Sequence, residues 1–410
     1  MQRYDMDRIF ARMLDAHGSV SDLNFTFGRE PQVEFHGKLT AVEFDPPVGV
    51  LTPYQTEAIA MCLVSGDRRL TETLIKTGSC DLPYSLGSIA RFRVNIFQQR
   101  GHYSIVLRRL ASEVPTVERM GLPEIMKKMA DERNGLILVT GATGSGKSTT
   151  MAAILDIINS SKAVHVVTLE DPVEFVFPVK MATFNQREQG TDFDTFGNGL
   201  RAALRQAPKV ILVGEMRDRD TLEIGLTAAE TGHLVMSTLH TVDAGSTINR
   251  ILGMFDKDEE RMIRMRLAES LRWIVSQRLL PKVGGGRVPA LEIMGKSIRN
   301  EEVILNGESE GKSYYEIIQD TEALGWQTFD THILRLFTEG VITEETALSY
   351  ASKKSVVARG LDTIKASKGE KTTDIEGLSM DADYDKDHDP KKSGRLDPRR
   401  ASQRFGVGQR

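Results

Sequence analysis

Apolar and polar positions along this chain change their period at two places. Met6, Ile9, Phe10, Met13 and Leu14 recur at helical spacing, and the pattern stops by Gly18, where the first helix is expected to end. "VEFHGKLTAVEF" reads as two strands joined at His36 and Gly37. "IARFRVNIFQQRGHYSIVLRRL" alternates apolar and polar residues on both sides of Gly101, as a hairpin does. Residues 1–112 are therefore expected to form a small α+β domain. Pro115, Gly121 and Pro123 punctuate the next stretch and predict an interdomain linker over 113–123.

Beyond the linker the alternation gives way to solid apolar runs: "LILVT" at 136–140, "VHVVTL" at 164–169, "VILVG" at 210–214 and "HLVMST" at 233–238. Helical segments separate them, so the fold class expected is α/β, with a mainly parallel sheet buried on both faces. From Asp258 to Leu279, the residues Ile263, Leu267, Leu271, Ile274 and Val275 keep helical spacing, and one core-facing helix is expected there. "KVGGGRVPALEIM" then makes a glycine turn, and C-terminal helices complete a second domain over 124–360. The remainder alternates acidic "DADYDKDHDP" with a basic end holding seven Lys or Arg in its last twenty residues. Large apolar residues are sparse there, which predicts a disordered charged tail over 361–410. Contact of its basic end with anionic lipid is the sharper alternative to a solvating role. No internal repeat is present.

Composition narrows the class. At 410 residues, 40% hydrophobic and 27% charged, the chain is ordinary for a soluble protein of two or three domains. A net charge of -4 gives no case for the whole molecule as a nucleic-acid binder. Cys62 and Cys80 are too few for a disulfide framework and lack zinc-site spacing, which fits a reducing cytoplasm. Charges interrupt every apolar cluster of the N-terminal "MQRYDMDRIFARMLDAHG", and no stretch reaches the length of a membrane span. Neither export nor membrane insertion is expected.

The clearest chemistry is "GATGSGKST", which fits G-x-x-x-x-G-K-[ST] and lies between a predicted strand and a predicted helix. Its residues Gly141, Ala142, Thr143, Gly144, Ser145, Gly146, Lys147, Ser148 and Thr149 are the candidate nucleotide-binding set. Glycines let successive N–H groups point at phosphate, Lys147 reaches the β and γ phosphates, and the Ser148 hydroxyl suits Mg²⁺. Such a loop needs a carboxylate at the end of a partner strand. In "VILVGEMRDRDT" Val213 is followed by Gly214 before Glu215, where many nucleoside triphosphatases carry Asp at the strand's end. "TLEDPVEF" brings Glu170, Asp171 and Glu174 together at the expected ligand edge of the sheet, where one of them could polarise the attacking water. "TGHLVMSTLHT" sets His233 and His240 at either end of a strand and its exit, a spacing that does not make a metal site. No N-K-x-D tetrad for guanine is present.

Eight blocks in order carry a family resemblance: "SDLNFTFGREPQVEFHGKL", "ARFRVNIFQQRG", "GATGSGKSTT", "LEDPVEFV", "NQREQGTD", "ALRQAPKVILVGEMRD", "TAAETGHLVMSTLHT" and "VSQRLLPKVGGGRVPALEIM". Together they resemble the secretion ATPases, and within them the PilT-type motors that retract type IV pili. The resemblance covers residues 1 to about 360. It implies a PAS-like N-terminal domain followed by a RecA-like P-loop ATPase domain, with ATP and Mg²⁺ as substrate and cofactor. In this family the Walker B strand ends in Gly-Glu, so Glu215 is implied as the carboxylate for Mg²⁺ or water, with Ser148 as its companion ligand. Glu174 is implied as general base, and His233 and His240 as sensors of the γ phosphate. Further implications are a homo-hexamer, a platform protein at the inner membrane, and a cytoplasmic protein peripherally attached there. A paralogous pilus ATPase is a further partner to consider. Closure of the first domain on nucleotide would supply arginines, and Arg91, Arg93, Arg108 and Arg109, on or just after the predicted hairpin, are the candidates.

The chain departs from the pattern after the glycine turn. The A-I-R-N-L-I-R-E-like segment keeps only Ser297, Ile298, Arg299 and Asn300 before diverging. A PilU-like accessory motor therefore stands beside autonomous retraction. A PilB-like assembly or type II secretion ATPase typically carries a four-cysteine zinc insert, which two cysteines cannot form. In other classes, a nucleic-acid translocase lacks its basic and aromatic stripe here, and intact Lys147, Ser148, Glu174 and Glu215 argue against a nonhydrolysing scaffold.

Overall fold

The structure, a computed structural model, describes residues 3–110 and 113–369. Met1–Val357 make up one compact unit and Ala358–Arg410 a second.

The first part of the larger unit runs α1 (Arg3–Asp15), β1 (Val20–Thr26), β2 (Gln32–Phe35), β3 (Lys38–Ala41), α2 (Pro53–Val64), α3 (Arg68–Thr77), β4 (Ser79–Leu86), β5 (Ala90–Gln99) and β6 (His102–Leu110). The strands form one sheet in the order β3-β2-β1-β6-β5-β4, with every neighbouring pair antiparallel. Side chains alternate across a pleated strand, so Phe92, Val94 and Ile96 of β5 all turn inward. They meet Met6, Phe10 and Met13 of α1 in a core of their own. The joints expected at His36-Gly37 and Gly101 are the β2–β3 and β5–β6 turns.

The second part runs α4 (Ile125–Asp131), β7 (Gly135–Thr140), α5 (Lys147–Ser161), β8 (His165–Glu170), β9 (Thr183–Glu188), α6 (Phe196–Ala203), β10 (Val210–Val213), α7 (Arg219–Glu230), β11 (Leu234–Leu239), α8 (Ala244–Leu252), α9 (Glu260–Ser270), β12 (Leu271–Pro281) and β13 (Arg287–Gly295). There follow α10 (Ile298–Asn306), α11 (Tyr314–Asp320), α12 (Phe329–Thr338), α13 (Glu344–Tyr350) and α14 (Lys354–Ser367). The sheet order is β13-β12-β7-β11-β10-β8-β9, and every pair is parallel except β12 with β13. All residues of β7, β10 and β11 are buried, as helices on both faces of a parallel sheet require. The fold is α/β, and a second core extends from Val117 to Trp326.

Two elements differ from the sequence reading. The single helix expected from Asp258 to Leu279 ends at Ser270, and Leu271–Pro281 is strand β12, paired in parallel with β7. Because both faces of β12 are covered, its consecutive residues Ile274 and Val275 are both buried, and periodicity alone cannot separate such a run from a buried helix. Helix α14 continues to Ser367, past the residue 360 at which the folded region was expected to stop. The rest of the charged tail, from residue 370, lies outside the described residues. Among the described residues no helix is long and apolar enough to cross a membrane.

Candidate functional site

Parallel pairing puts the C-terminal ends of β7, β8, β10 and β11 on one edge of the sheet, and the loops after them carry the sequence motifs. They surround a cavity of about 570 Å³, within the range of roughly 300–1,000 Å³ common for small-molecule sites. Its wall includes Lys147, Ser148, Glu174, Glu215 and His240.

The loop after β7 curls over the start of α5. Gly141 and Gly146 have φ of 143° and 91°, values that only glycine takes without strain, and α5 begins at Lys147 with its unpaired N–H groups facing the loop. The Lys147 ammonium is buried and donates to the carbonyls of Gly141 at 2.9 Å and Ala142 at 3.1 Å. Burial pulls it below its usual pKa, while the Glu215 and Glu174 carboxylates oppose that shift. A phosphate gives this cation an anionic partner in place of two carbonyls, and the buried Ser145 hydroxyl has no partner of its own. The loop therefore fits a nucleotide's phosphates. Among the described residues no group of three His, Cys, Asp or Glu is placed to hold a metal; Ser148 and Glu215, both on the cavity wall, are the residues that would hold one beside a nucleotide.

Gly214 follows from packing. Its N–H donates to Leu169 O at 2.7 Å, and a Cβ there would lie 3.1 Å from that same carbonyl. Thr238 Oγ1 donates to Gly214 O at 2.7 Å from the neighbouring strand. The backbone is gripped from both sides, and the carboxylate reaches the cavity one residue later. Glu215 Oε2 lies 2.8 Å from Arg217 and 3.3 Å from His240 Nε2. On its other side His240 Nδ1 lies 3.4 Å from Lys147 Nζ.

The loop after β8 holds the remaining carboxylates. Glu170 accepts from Thr168 Oγ1 at 2.6 Å, and burial pushes its carboxyl up. Glu174 is exposed to the cavity. The residue before it is held at both backbone atoms: Val173 N–H donates to Glu188 at 3.0 Å, and Val173 O accepts from Arg91 at 3.1 Å. Gln186 steadies the far side, accepting from Phe177 N–H and donating to Phe175 O. Gln186 and Glu188 belong to the edge strand β9, whose mixed burial left no strand pattern to read.

The structure brings together Lys147, Ser148, Glu174, Glu215 and His240, and separates His233 from them. His233 precedes β11 at its N-terminal end, where its Nδ1 lies 3.0 Å from Ala228 O. Its carbonyl accepts from Gly135 N–H at the start of β7. Because β7 and β11 run parallel, His233 sits at the opposite edge of the sheet from the phosphate loop, about 20 Å away at 3.3 Å per residue. This corrects the expectation that both imidazoles sense the γ phosphate. None of the four arginines lines the cavity. Arg91 touches the Glu174 loop, with its Nη1 buried and unpartnered. Arg93 lies 3.7 Å from Asp81 in a cleft shared with Asp171 and Glu188, Arg108 pairs with Asp22 at 3.0 Å, and Arg109 borders a shallow cleft with Val20 and Arg119. Arg287 of β13 does line the cavity and was not anticipated, since nothing local marks it.

Comparison with known proteins agrees with this geometry. Residues 78–299 match the family described as Type II/IV secretion system protein. The chain is 42% identical over 335 residues to the type IV pilus retraction ATPase PilT of Pseudomonas aeruginosa, covering 81% of this chain and 94% of that one. It is 35% identical over 348 residues to the type IV pilus ATPase PilU of the same organism, covering 85% and 88%. A crystal structure of the pilus retraction motor PilT with bound ADP superimposes with a TM-score of 0.78 at 38% identity, covering 88% of this chain and 99% of that one. The chain belongs to the type II/IV secretion system protein family, as a P-loop ATPase of the pilus-motor kind.

Proposed function

We propose that this protein hydrolyses ATP to power retraction of type IV pili. One observation carries the reading: four strand ends deliver a phosphate loop, a strand-end carboxylate, a histidine and a loop carboxylate to one cavity. In that cavity Lys147 and the loop N–H groups bind the phosphates. Glu174, exposed beside them, takes the proton of the attacking water, and His240 links Lys147 to Glu215 so that both answer to the γ phosphate. Mg²⁺ held by Ser148 and Glu215 supplies charge neutralisation when bound. Arg91, reaching from β5 to the Glu174 loop, ties the antiparallel domain to the nucleotide state.

A homo-hexamer working against a platform protein at the inner membrane, with the chain cytoplasmic and peripherally attached, completes the reading. The high coverage of the retraction motor PilT supports it. The test is the pilus count and surface motility of a strain lacking the protein, beside one carrying Lys147→Ala. Excess pili without motility in both strains is expected. Bald cells would assign the protein to assembly instead, and unchanged cells would assign it the accessory role.

A further inference from the structure

Gln277 lies on β12 beneath the phosphate loop and is 2% exposed. Both ends of its side-chain amide are engaged. Oε1 accepts from Thr150 Oγ1 at 2.7 Å, and Nε2 donates to the backbone carbonyl of Ser145 at 2.7 Å. Ser145 precedes and Thr150 follows Lys147 and Ser148, so one buried amide spans the catalytic turn of the chain. The two flanking glycines meet the same residue. A Cβ at Gly141 would come within 2.4 Å of Gln277 O, and one at Gly146 within 2.8 Å of its Nε2. The β12 backbone requires glycine at 141 as well as its own positive φ does, whereas a side chain at 146 would push on the Gln277 amide itself.

Strand register delivers the contact. Ser276 pairs with Thr140, the last residue of β7, and Thr140 Oγ1 donates to Ser276 Oγ at 2.9 Å in the interior. Gln277 consequently falls beside the first residue of the loop. Its bond to Ser145 O matters because a trans peptide points its carbonyl and the following N–H in opposite directions. With the carbonyl turned to β12, the Gly146 N–H is turned away from it. A loop without this hold must become ordered at the moment of binding, and that entropy is lost from affinity.

We propose that Gln277, with Thr150 as its partner, is a positioning residue that clamps the phosphate loop in its nucleotide-accepting curl. The inference rests on the reading of this loop as the ATP site.

The test uses the full chain, with Mg-ADP affinity from equilibrium titration, steady-state Mg-ATP hydrolysis and thermal unfolding measured in parallel. Gln277→Leu and Thr150→Val should each weaken Mg-ADP binding about tenfold, the scale of one buried hydrogen bond left unmade. The double variant should be no weaker than the worse single one, because both substitutions break one unit. Thr150→Ser keeps the hydroxyl and should bind within about twofold of wild type. A purely structural role would lower the unfolding temperature without moving the affinity of the folded protein. Unchanged affinity in folded Gln277→Leu and Thr150→Val, or effects that multiply in the double variant, would overturn the clamp. If Gln277→Leu fails to fold, the contrast between Thr150→Val and Thr150→Ser decides alone. If wild type and Lys147→Ala both fail to bind Mg-ADP, the ATP-site reading itself falls and the clamp with it. That outcome is distinct from wild-type binding that the clamp variants share.

Discussion

Nε2 of His240 lies 3.3 Å from Oε2 of Glu215. On the other side of the ring the Lys147 ammonium can only donate, and the tautomer assigned on that ground has Nδ1 accepting and the Nε2 hydrogen facing the carboxylate. The imidazole is thus a bridge between the Lys147 ammonium and the strand-end acid. Glu215→Gln is expected to lower kcat by about 10²–10⁴-fold while Mg-ADP still binds, and His240→Ala to lower it less. Removing both should cost little more than removing Glu215 alone. Steady-state hydrolysis with a nucleotide titration checks this, and multiplicative losses would show that the two residues do not act as a unit.

Gly214 offers a second test. Restoring the usual Asp at this strand end crowds the backbone, because a Cβ there comes 3.1 Å from Leu169 O. Gly214→Asp is expected to destabilise the fold by about 1–3 kcal/mol and to leave turnover below wild type. Chemical denaturation measures the first effect. A variant as stable as wild type would mean that packing is not what demands glycine.

Arg91→Ala should loosen the Glu174 loop without touching the cavity wall. Val173 O loses a charge-assisted bond, while Glu188 still holds the N–H. Hydrogen exchange is expected to accelerate across residues 171–177, and kcat to fall with Mg-ADP affinity unchanged. Exchange at the wild-type rate would remove Arg91 from the coupling between the domains.

Glu292 sets a pH dependence. It is 4% exposed on β13 and accepts from Ala244 N–H at 2.9 Å at the start of α8. Burial pushes its carboxyl up to about 7, Asp243 and Asp330 add to the shift, and Ala244 and Arg278 oppose it. Between the ordinary value of 4.5 and about 7 the folded protein holds a proton that the unfolded chain has released. The resulting contribution to stability is full at low pH and is lost as pH rises through about 7. Glu292→Gln keeps the acceptor for Ala244 and removes the titration. Relative to wild type it should gain stability from pH 5 to pH 8, on the order of 3 kcal/mol at most. Unfolding temperatures of the two proteins at matched pH give the answer, and a constant difference would exclude Glu292 as the titrating group.

Much of the site was readable before the fold. The loop from Gly141 to Ser148 is a local object, in which positive-φ glycines, a helix start and a lysine act within a few residues of one another. Glu215 and His240 could be placed because each lies within two residues of the end of an apolar strand. Glu174 was legible as one of three acids; burial and the Thr168 bond set Glu170 apart, while Asp171 and Glu174 are both exposed at the cavity. His233 shares a motif with His240, yet a six-residue strand puts them at opposite edges of the sheet.

By itself, then, the sequence determined the kind of chemistry: a phosphate loop, its strand-borne acid, and the parallel sheet that such apolar runs require. Tertiary structure decided which distant residues complete the site. Gln277 reaches Ser145 across 132 positions, and Arg91 reaches Val173 across 82. Neither contact follows from any local pattern, because each depends on strand order, register and the packing of one domain on another. Those are properties of the whole chain's lowest free energy, and no window of residues carries them.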